Sequence, residues 1–569
     1  MKKPALSELT LTEKISQLLM IAQGSLLMKH ELDENGERVR RSYAEIDEIM
    51  EKCQYGSIWT GSGIVEANDH QDGFQYTFSL AGTAQKGNVE SYGKWLKKIT
   101  KNVRIPVLAA TNAERGLGGQ FNDGTVTVAP FCIGAANDEQ LTYDLSYGIG
   151  KEMRAAGIHW RWCPVSDLCN RFKGVSITRS FSQEPDKLIR LCNAANRGVE
   201  AAKVASTMKH FPGCDPYSYR DGHGSAGSIS ISLEEWEKTS GRIYKEIIES
   251  GVDTVMTTHT AFPAVDDTAM NGNILPTTFS KKITTDLLRG KLGFKGVIVT
   301  DDINMGPMAN FCTYEDGLVM AINAGNDILL GVDVDAYYAI EKAVLDGRIP
   351  MSRIDESAQR VLDLKEKLGL FDDEEEVVDF AEAKKITAEA NQKIADKCIT
   401  LLYDRNQLLP LNKDKIKKVT IVYTSNEPET NDHLLVMKHE FEKRGAEVRY
   451  VTKLPIRKVH VEQFSADSDL IIFAALVDSH MPCGMPSLYN DAAKTYWWCF
   501  SAGKEKAIGV SLGYPYLHFD AMSGAETFVN IYSDAPIVQE SFVKALYGEI
   551  PFEGVSPVDL TPRLHMLWG

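Results

Sequence analysis

Through its first two-thirds the chain alternates short apolar runs with longer stretches in which apolar positions recur at helical spacing. The runs Gly56–Trp59, Val107–Ala110, His159–Pro164, Ser206–His210, Thr254–Thr258, Val297–Thr300 and Asp327–Leu330 read as strands buried on both faces, as parallel strands covered by helices are. The stretches between them carry helix boundary signals. Ser232-Leu233-Glu234-Glu235 has the form of a capping box, and Ile243, Ile247 and Ile248 continue an apolar face up to Gly251. Seven or eight such units within about 350 residues, each strand ending in polar residues, predict an α/β fold of the TIM type, a (β/α)8 barrel with inserted loops. An open doubly wound sheet is the alternative, but no G-x-G-x-x-G follows the first strand.

A helix from Ser352 to Leu368 ends this region, and the acidic run Asp372–Glu376 after it reads as solvated linker. A second series of strands follows at Thr420–Tyr423, Val448–Val451, Leu470–Phe473, Ala507–Ser511 and Thr527–Tyr532, predicting a smaller α/β sandwich domain. The expected organisation is therefore a barrel over 1–371, an acidic linker and connecting helix over 372–395, and the sandwich over 396–569. A chain of 569 residues is also too long for one core, which agrees with two domains.

Charge narrows the partners. A formal net charge of -16 argues against nucleic acid and anionic membrane surfaces, which bind through clustered Lys and Arg. No apolar run approaches the roughly 20 residues of a bilayer helix, and Lys2-Lys3 leads straight into a polar stretch, so a cytoplasmic protein without a signal peptide is expected. The ten cysteines form no C-x-x-C and are expected to be reduced and mostly buried.

Three segments can carry chemistry. Gly296-Val297-Ile298-Val299-Thr300-Asp301-Asp302 is a buried strand ending in two carboxylates at what would be the reactive mouth of a barrel. Successive strand residues point to opposite sides, so one of the two faces the pocket; Asp301 is the choice, with capping of the next helix an equally good reading from this segment alone. Lys209-His210-Phe211-Pro212-Gly213 ends another strand and leads to Asp221-Gly222-His223-Gly224. A carboxylate two residues from a histidine can hold one ring nitrogen and leave the other to shuttle a proton near neutral pH, although a lone D-x-H is common by chance. His210, Cys214, Asp215, Asp221 and His223 match no zinc spacing, and Lys209 would repel a cation, so neither metal nor cofactor is expected. Cys214 as a thiol nucleophile is the competing reading, and it leaves Asp301 unexplained.

Taken together, these segments resemble glycoside hydrolase family 3, in its bacterial β-N-acetylglucosaminidase branch. The resemblance rests on Lys209-His210-Phe211-Pro212-Gly213 with Asp221-x-His223, Gly157-Ile158 through Pro164-Val165-Ser166-Asp167, Arg179-Ser180-Phe181, and Leu292 through Asp302. The second domain is similar to the family's sandwich from Ile399-Thr400-Leu401-Leu402 to Ala545-Leu546-Tyr547-Gly548-Glu549-Ile550, and is expected to supply no site residue and to leave a monomer or homodimer. The resemblance implies a retaining exo-β-glycosidase: Asp301 is the nucleophile of a covalent glycosyl-enzyme, His223 the general acid/base, and Asp221 its orienting partner. It further implies that Arg179, Lys209, His210, Asn112, Asp167 and His259 hold or shape the terminal sugar, and that the two cations keep Asp301 ionised.

Two departures qualify this. Asn112-Ala113-Glu114-Arg115-Gly116-Leu117-Gly118-Gly119-Gln120 has Asn112 where the family has an Asp and Gln120 in place of an expected Arg, with Arg115 as a partial substitute. An Asn both accepts and donates, so the far edge of the sugar is read differently. Cys214-Asp215-Pro216-Tyr217 also replaces the family's His-Gly-Asp-Thr run with one extra residue. The expected activity is release of a terminal β-linked N-acetylhexosamine from a small saccharide. The alternatives are a β-N-acetylgalactosaminide, a β-glucoside, phosphorolysis, since a neutral His223 does not repel incoming phosphate as an ionised Glu would, and a sugar-binding protein without turnover.

Overall fold

The computed structural model describes residues 2–36, 38–60, 64–66, 74–76, 87–168, 178–218, 222–372, 378–426, 433–453, 456–477, 487–488 and 490–561. Eight parallel strands form the first sheet: β1 (Leu19–Ala22), β2 (Ser57–Trp59), β3 (Leu108–Thr111), β4 (Trp160–Arg161), β5 (Thr207–Phe211), β6 (Thr254–Thr257), β7 (Val297–Asp302) and β8 (Ile328–Val332). Their order is β4-β3-β2-β1-β8-β7-β6-β5, the chain order wrapped once around. The ends meet through parallel bridges between Trp160 and Ala205 and between Val165 and Lys209. There the Arg161 N–H donates to the Ala205 carbonyl at 2.9 Å and the Ser166 N–H to that of Lys209 at 2.7 Å. This is the expected α/β barrel.

Seven strands lie within a few residues of their expected positions, and the eighth, β1, is an addition. Helix Leu11–Gln17, capped by Thr10, runs almost directly into it, so Ile15, Leu18 and Leu19 mimic the face of one longer helix. The Ser232 signal forms only in part. Ser232 Oγ accepts from the Glu235 N–H at 3.1 Å, but the Glu235 carboxylate accepts from Tyr217 Oη at 3.1 Å instead of reaching back. The helix then breaks at Thr239, and a separate helix, Ser240–Ser250, carries Ile243 and Ile247 and ends on Gly251 at φ 104°.

Alternation along the strands decides what faces the barrel interior. Met20, Leu108, Ala110, Trp160, Trp162, Met256, Val297, Val299, Ile328 and Leu330 pack together inside, while Ile21, Ala109, Val255, Ile298 and Leu329 face the helices. The rings of Trp59 and Trp162 approach to 5.8 Å, on strands either side of the small Ala110. Lower down, the Trp160 indole N–H donates to Thr207 Oγ1 at 2.7 Å and Thr254 Oγ1 at 3.0 Å. The interior is a packed floor with a reactive rim above it.

Below the barrel, the fully buried Asp327 draws several elements together. It accepts from Arg353 and Arg360 at 2.9 Å each, from Ser357 Oγ at 2.8 Å, from the Ile298 N–H at 2.9 Å, and from Arg289. Helix Met351–Lys367 is thereby tied to β7 and β8.

The second sheet consists of β9 (Thr400–Asp404), β10 (Lys418–Ser425), β11 (Glu447–Val451), β12 (Leu470–Leu476), β13 (Ala507–Ser511) and β14 (Thr527–Asn530), in the order β9-β14-β13-β12-β10-β11. All its pairings are parallel except that of β9 with β14, and β9 is the strand the sequence pattern did not announce. Helix Phe380–Cys398 joins the two domains: Asn391 accepts from the Val128 N–H at 2.9 Å and donates to the Val126 carbonyl at 3.2 Å. Of the acidic run, residues 373–376 lie outside the described residues. Eight cysteines are free thiols, six of them buried, while Cys169 and Cys483 lie outside the described residues. Among the described residues no helix is long and apolar enough to cross a membrane.

Replacing Asp327 by Ala leaves Arg289, Arg353 and Arg360 converging without their shared carboxylate, with the exposed Glu356 still beside Arg353 and Arg360. We expect a loss of about 3–5 kcal/mol, read as a lower urea midpoint; a loss below ~1 kcal/mol would show that the cluster does not hold the barrel base.

Candidate active site

Val297 and Val299 face the interior and Ile298 faces outward, and past a register shift against β8 between Val299 and Asp302 the two carboxylates part, Asp301 among His210, His259 and His223 and Asp302 against Asn304 and Gly331. Asp302 Oδ1 accepts from the Asn304 N–H at 3.0 Å and from Asn304 Nδ2 at 3.2 Å, and it lies against Gly331. Gly331 has φ +78°, and a Cβ there would come within 2.3 Å of Asp302 Oδ1, so this position needs glycine on both counts. Burial, with Asp301 and Asp333 nearby, pushes the Asp302 pKa up to about 6. Asp301 goes the other way. Burial alone would raise it, but the imidazoles of His210, His259 and His223 around it hold its pKa down at about 2. Its Oδ1 also accepts the Asp302 N–H at 2.9 Å.

Beside Asp301 sits a buried charge cluster centred on Glu114. Arg179 grips this carboxylate with two hydrogen bonds, Nε at 2.9 Å and Nη2 at 2.6 Å, and Lys209 Nζ donates to it at 2.8 Å. Lys209 also donates to Asn112 Oδ1 at 3.2 Å. Burial would raise the Glu114 pKa, but Arg179 and Lys209 hold it well below the usual carboxylate range. Burial would lower Arg179, and Glu114, then Asp167 and Asp301, raise it. Asp167 is fully buried; its Oδ2 pairs with His210 Nδ1 at 2.8 Å and its Oδ1 accepts the His210 N–H at 3.3 Å.

The loop carrying His223 docks on the turn after β7. The Gly306 N–H donates to the His223 carbonyl at 3.1 Å, and a Cβ on Gly306 would lie 2.8 Å from the Gly224 carbonyl oxygen. Asp215, in the extra-residue stretch, ties the same loop: it accepts the Tyr217 N–H at 2.7 Å and the Ser230 N–H at 2.8 Å. Asp221 lies outside the described residues. His259 is 2% exposed, with Nδ1 2.8 Å from Thr278 Oγ1 and Nε2 2.8 Å from the Asp302 carbonyl.

The structure thus brings Asp301, His223, His210, Asp167, Arg179, Lys209 and Asn112 to one rim, and adds residues that pattern reading passed over. Glu114 is the first; it stands where the family's motif has a Glu two residues after position 112, but it was not named among the site residues. Asp534 is the second. It stands 4.0 Å from Arg115, the residue beside Glu114, and pairs with His433 at 2.6 Å, so the second domain does reach the loop that carries the charge cluster.

Residues 10–364 match the family model described as the glycosyl hydrolase family 3 N terminal domain. The "Beta-N-acetylglucosaminidase/beta-glucosidase" of Cellulomonas fimi is 27% identical over 496 residues, covering 81% of this chain and 85% of that protein. The "Beta-hexosaminidase" of Tolumonas auensis is 33% identical over 257 residues, 44% of this chain and 73% of its own. Among solved structures, "Beta-glucoside phosphorylase BglX" superposes with a TM-score of 0.80 at 26% identity, over 98% of this chain and 94% of that one. A glycoside hydrolase family 3 beta-N-acetylglucosaminidase from a Paenibacillus species gives 0.76 at 25% identity, over 97% and 99%.

Two substitutions probe this arrangement. Glu114→Gln leaves Arg179 and Lys209 together without their shared carboxylate, an expected loss of about 3–5 kcal/mol at neutral pH. The folded pKa of Glu114 is depressed, so this contribution is fully present above the unfolded value of about 4.3 and lost as pH falls through the folded one. The stability gap between wild type and E114Q, measured by urea unfolding, should stay level from about pH 8 to 5 and close only below about pH 4. Gly306→Ala should push the His223 loop outward and lower kcat about tenfold with an unchanged thermal midpoint; unaltered kcat would mean that the docking is irrelevant to turnover.

Proposed function

Since the chain belongs to glycosyl hydrolase family 3 and acts on O-glycosyl bonds, we propose that it is a retaining exo-β-glycosidase that removes a terminal β-linked N-acetylhexosamine. The observation that carries this reading is Asp301 itself: an inward carboxylate on a barrel strand end, held ionised among imidazoles. In the first step Asp301 attacks the anomeric carbon while His223 gives its proton to the departing glycosidic oxygen. In the second, His223 takes a proton from water, which attacks the same carbon and releases Asp301, so that two inversions leave the configuration retained. Asp221 orients the His223 ring. Arg179 and Lys209, fixed by Glu114, with His210, fixed by Asp167, form the donor wall that holds the ring hydroxyls.

The N-acetyl preference follows the names of the relatives from Cellulomonas fimi and Tolumonas auensis, and Asn112 in place of an Asp is where a β-glucoside or β-N-acetylgalactosaminide could be read instead. The free buried thiols suit a reducing, cytoplasmic setting. Phosphorolysis is the second reading, favoured by the likeness to a β-glucoside phosphorylase over nearly the whole chain and by a histidine rather than a carboxylate facing the incoming anion.

A 2-fluoro sugar should be trapped on Asp301, and Asp301→Asn should lower kcat on the order of a thousandfold or more; wild-type turnover in D301N would falsify the nucleophile. A panel of aryl β-glycosides assayed with and without phosphate separates the remaining readings. Indifference to the 2-acetamido group removes the N-acetyl preference, and a sugar 1-phosphate product establishes phosphorolysis.

A further inference from the structure

The second and outermost strand-end histidine has no ring nitrogen left for a ligand. His259 stands two residues beyond the end of β6, in which Met256 faces the interior and Val255 faces outward. Its Nε2 lies 2.8 Å from the Asp302 carbonyl oxygen. A carbonyl only accepts, so Nε2 must carry the proton. Burial pushes the imidazole pKa below its ordinary value, and Nδ1 lies 2.8 Å from Thr278 Oγ1, whose hydroxyl also donates to the Thr258 carbonyl at 3.1 Å. Thr278 is itself fixed, because the buried Asn326 donates to its carbonyl at 2.9 Å and accepts from Thr257 Oγ1 at 3.0 Å.

The other end of this chain is Asp301. The Asp302 N–H donates to Asp301 Oδ1 at 2.9 Å, and a single Cα separates that N–H from the carbonyl held by His259. That carbonyl lies beyond the β6–β7 ladder, which ends at Thr257 opposite Thr300. Its other lone pair takes the Met305 N–H at 3.0 Å, a bond within the turn that does not anchor it to the neighbouring strand. His259 alone among these contacts ties the end of β7 to β6.

We propose that His259, as the Nε2–H tautomer, is a positioning residue that fixes the Asp302 peptide and through its N–H the Asp301 carboxylate, without touching the sugar. This rests on the reading of Asp301 as nucleophile. A carboxylate displaced by about 1 Å from its line of attack loses on the order of a hundredfold in rate, whereas the binding of a sugar that does not meet the residue stays as it was.

The test uses the full chain with His259→Ala, His259→Asn and His259→Gln. Gln places an amide donor near the former Nε2, and Asn places one near Nδ1. Read-outs are kcat, KM, the inhibition constant of N-acetylglucosamine, and the rate of Asp301 trapping by a 2-fluoro sugar. H259A and H259N should trap and turn over on the order of a hundredfold more slowly with KM and the inhibition constant within about threefold, and H259Q should recover at least about a third of the wild-type rate. Weakened sugar inhibition with kcat retained would overturn the proposal and make His259 a sugar contact; wild-type kcat in H259A would overturn it as well. Should a variant fail to fold, nitrogen NMR of the wild-type imidazole decides: a ring that carries its proton on Nε2 when neutral supports the proposal, and a neutral ring protonated at Nδ1 sinks it. Trapping at a residue other than Asp301 would instead sink the nucleophile reading and leave the tautomer result standing.

Discussion

Glu114 is the point at which the rim of this barrel is held together. Its carboxylate is shared between Arg179 and Lys209, so the loops after β3 and β4 and the end of β5 converge on one group. Such a carboxylate is tolerable out of water only because two cations saturate it, and the cations are tolerable only because it is there. The side chains that can reach a ligand from this cluster are therefore set before any ligand arrives, with their forked and single donors already aimed. Asp167 does the same for His210 on the adjoining strand. Acids and bases alternate around the rim, which is how Asp301 can be buried and remain ionised.

The frame behind the rim comes from alternation and closure. Alternation separates Asp301 from Asp302 and gives two neighbouring carboxylates opposite protonation tendencies, one near 2 and the other near 6. Closure through the short β4 and the bridges from Trp160 and Val165 brings Asp167 beside His210. The second domain is not remote from this, since Asp534, itself paired with His433, stands 4.0 Å from Arg115, one residue from the shared carboxylate.

Much of the architecture was legible in the chain. Runs buried on both faces located seven of the eight barrel strands, and the two-residue period says that one of Asp301 and Asp302 faces the pocket without choosing between them. β1 was hidden because a capped helix leads into it without a polar break, and β9 because a short antiparallel edge strand, partly exposed, carries little apolar signal. Arg179 and Lys209 were readable as donors, but not their common partner, because a contact among three loops depends on how the barrel closes. His259 was expected among the residues that hold or shape the sugar; its contacts with Thr278 and the Asp302 carbonyl come from neighbouring loops that spacing along the chain does not reveal. Asp221 stays an inference from spacing, outside the described residues.

The paired rings of Trp59 and Trp162, with the packed layers of Trp160, Met20 and Leu108 below them, make the barrel a well with a solid base. A saccharide cannot thread such a well and meets the site only from the rim, and under the exo-acting reading proposed above it presents an end there. For a substrate population the relevant concentration is then that of chain termini rather than of total sugar. Fragmentation by an endo-acting partner would accelerate consumption without changing a single rate constant of this protein, and a branched substrate would be consumed in proportion to its number of tips.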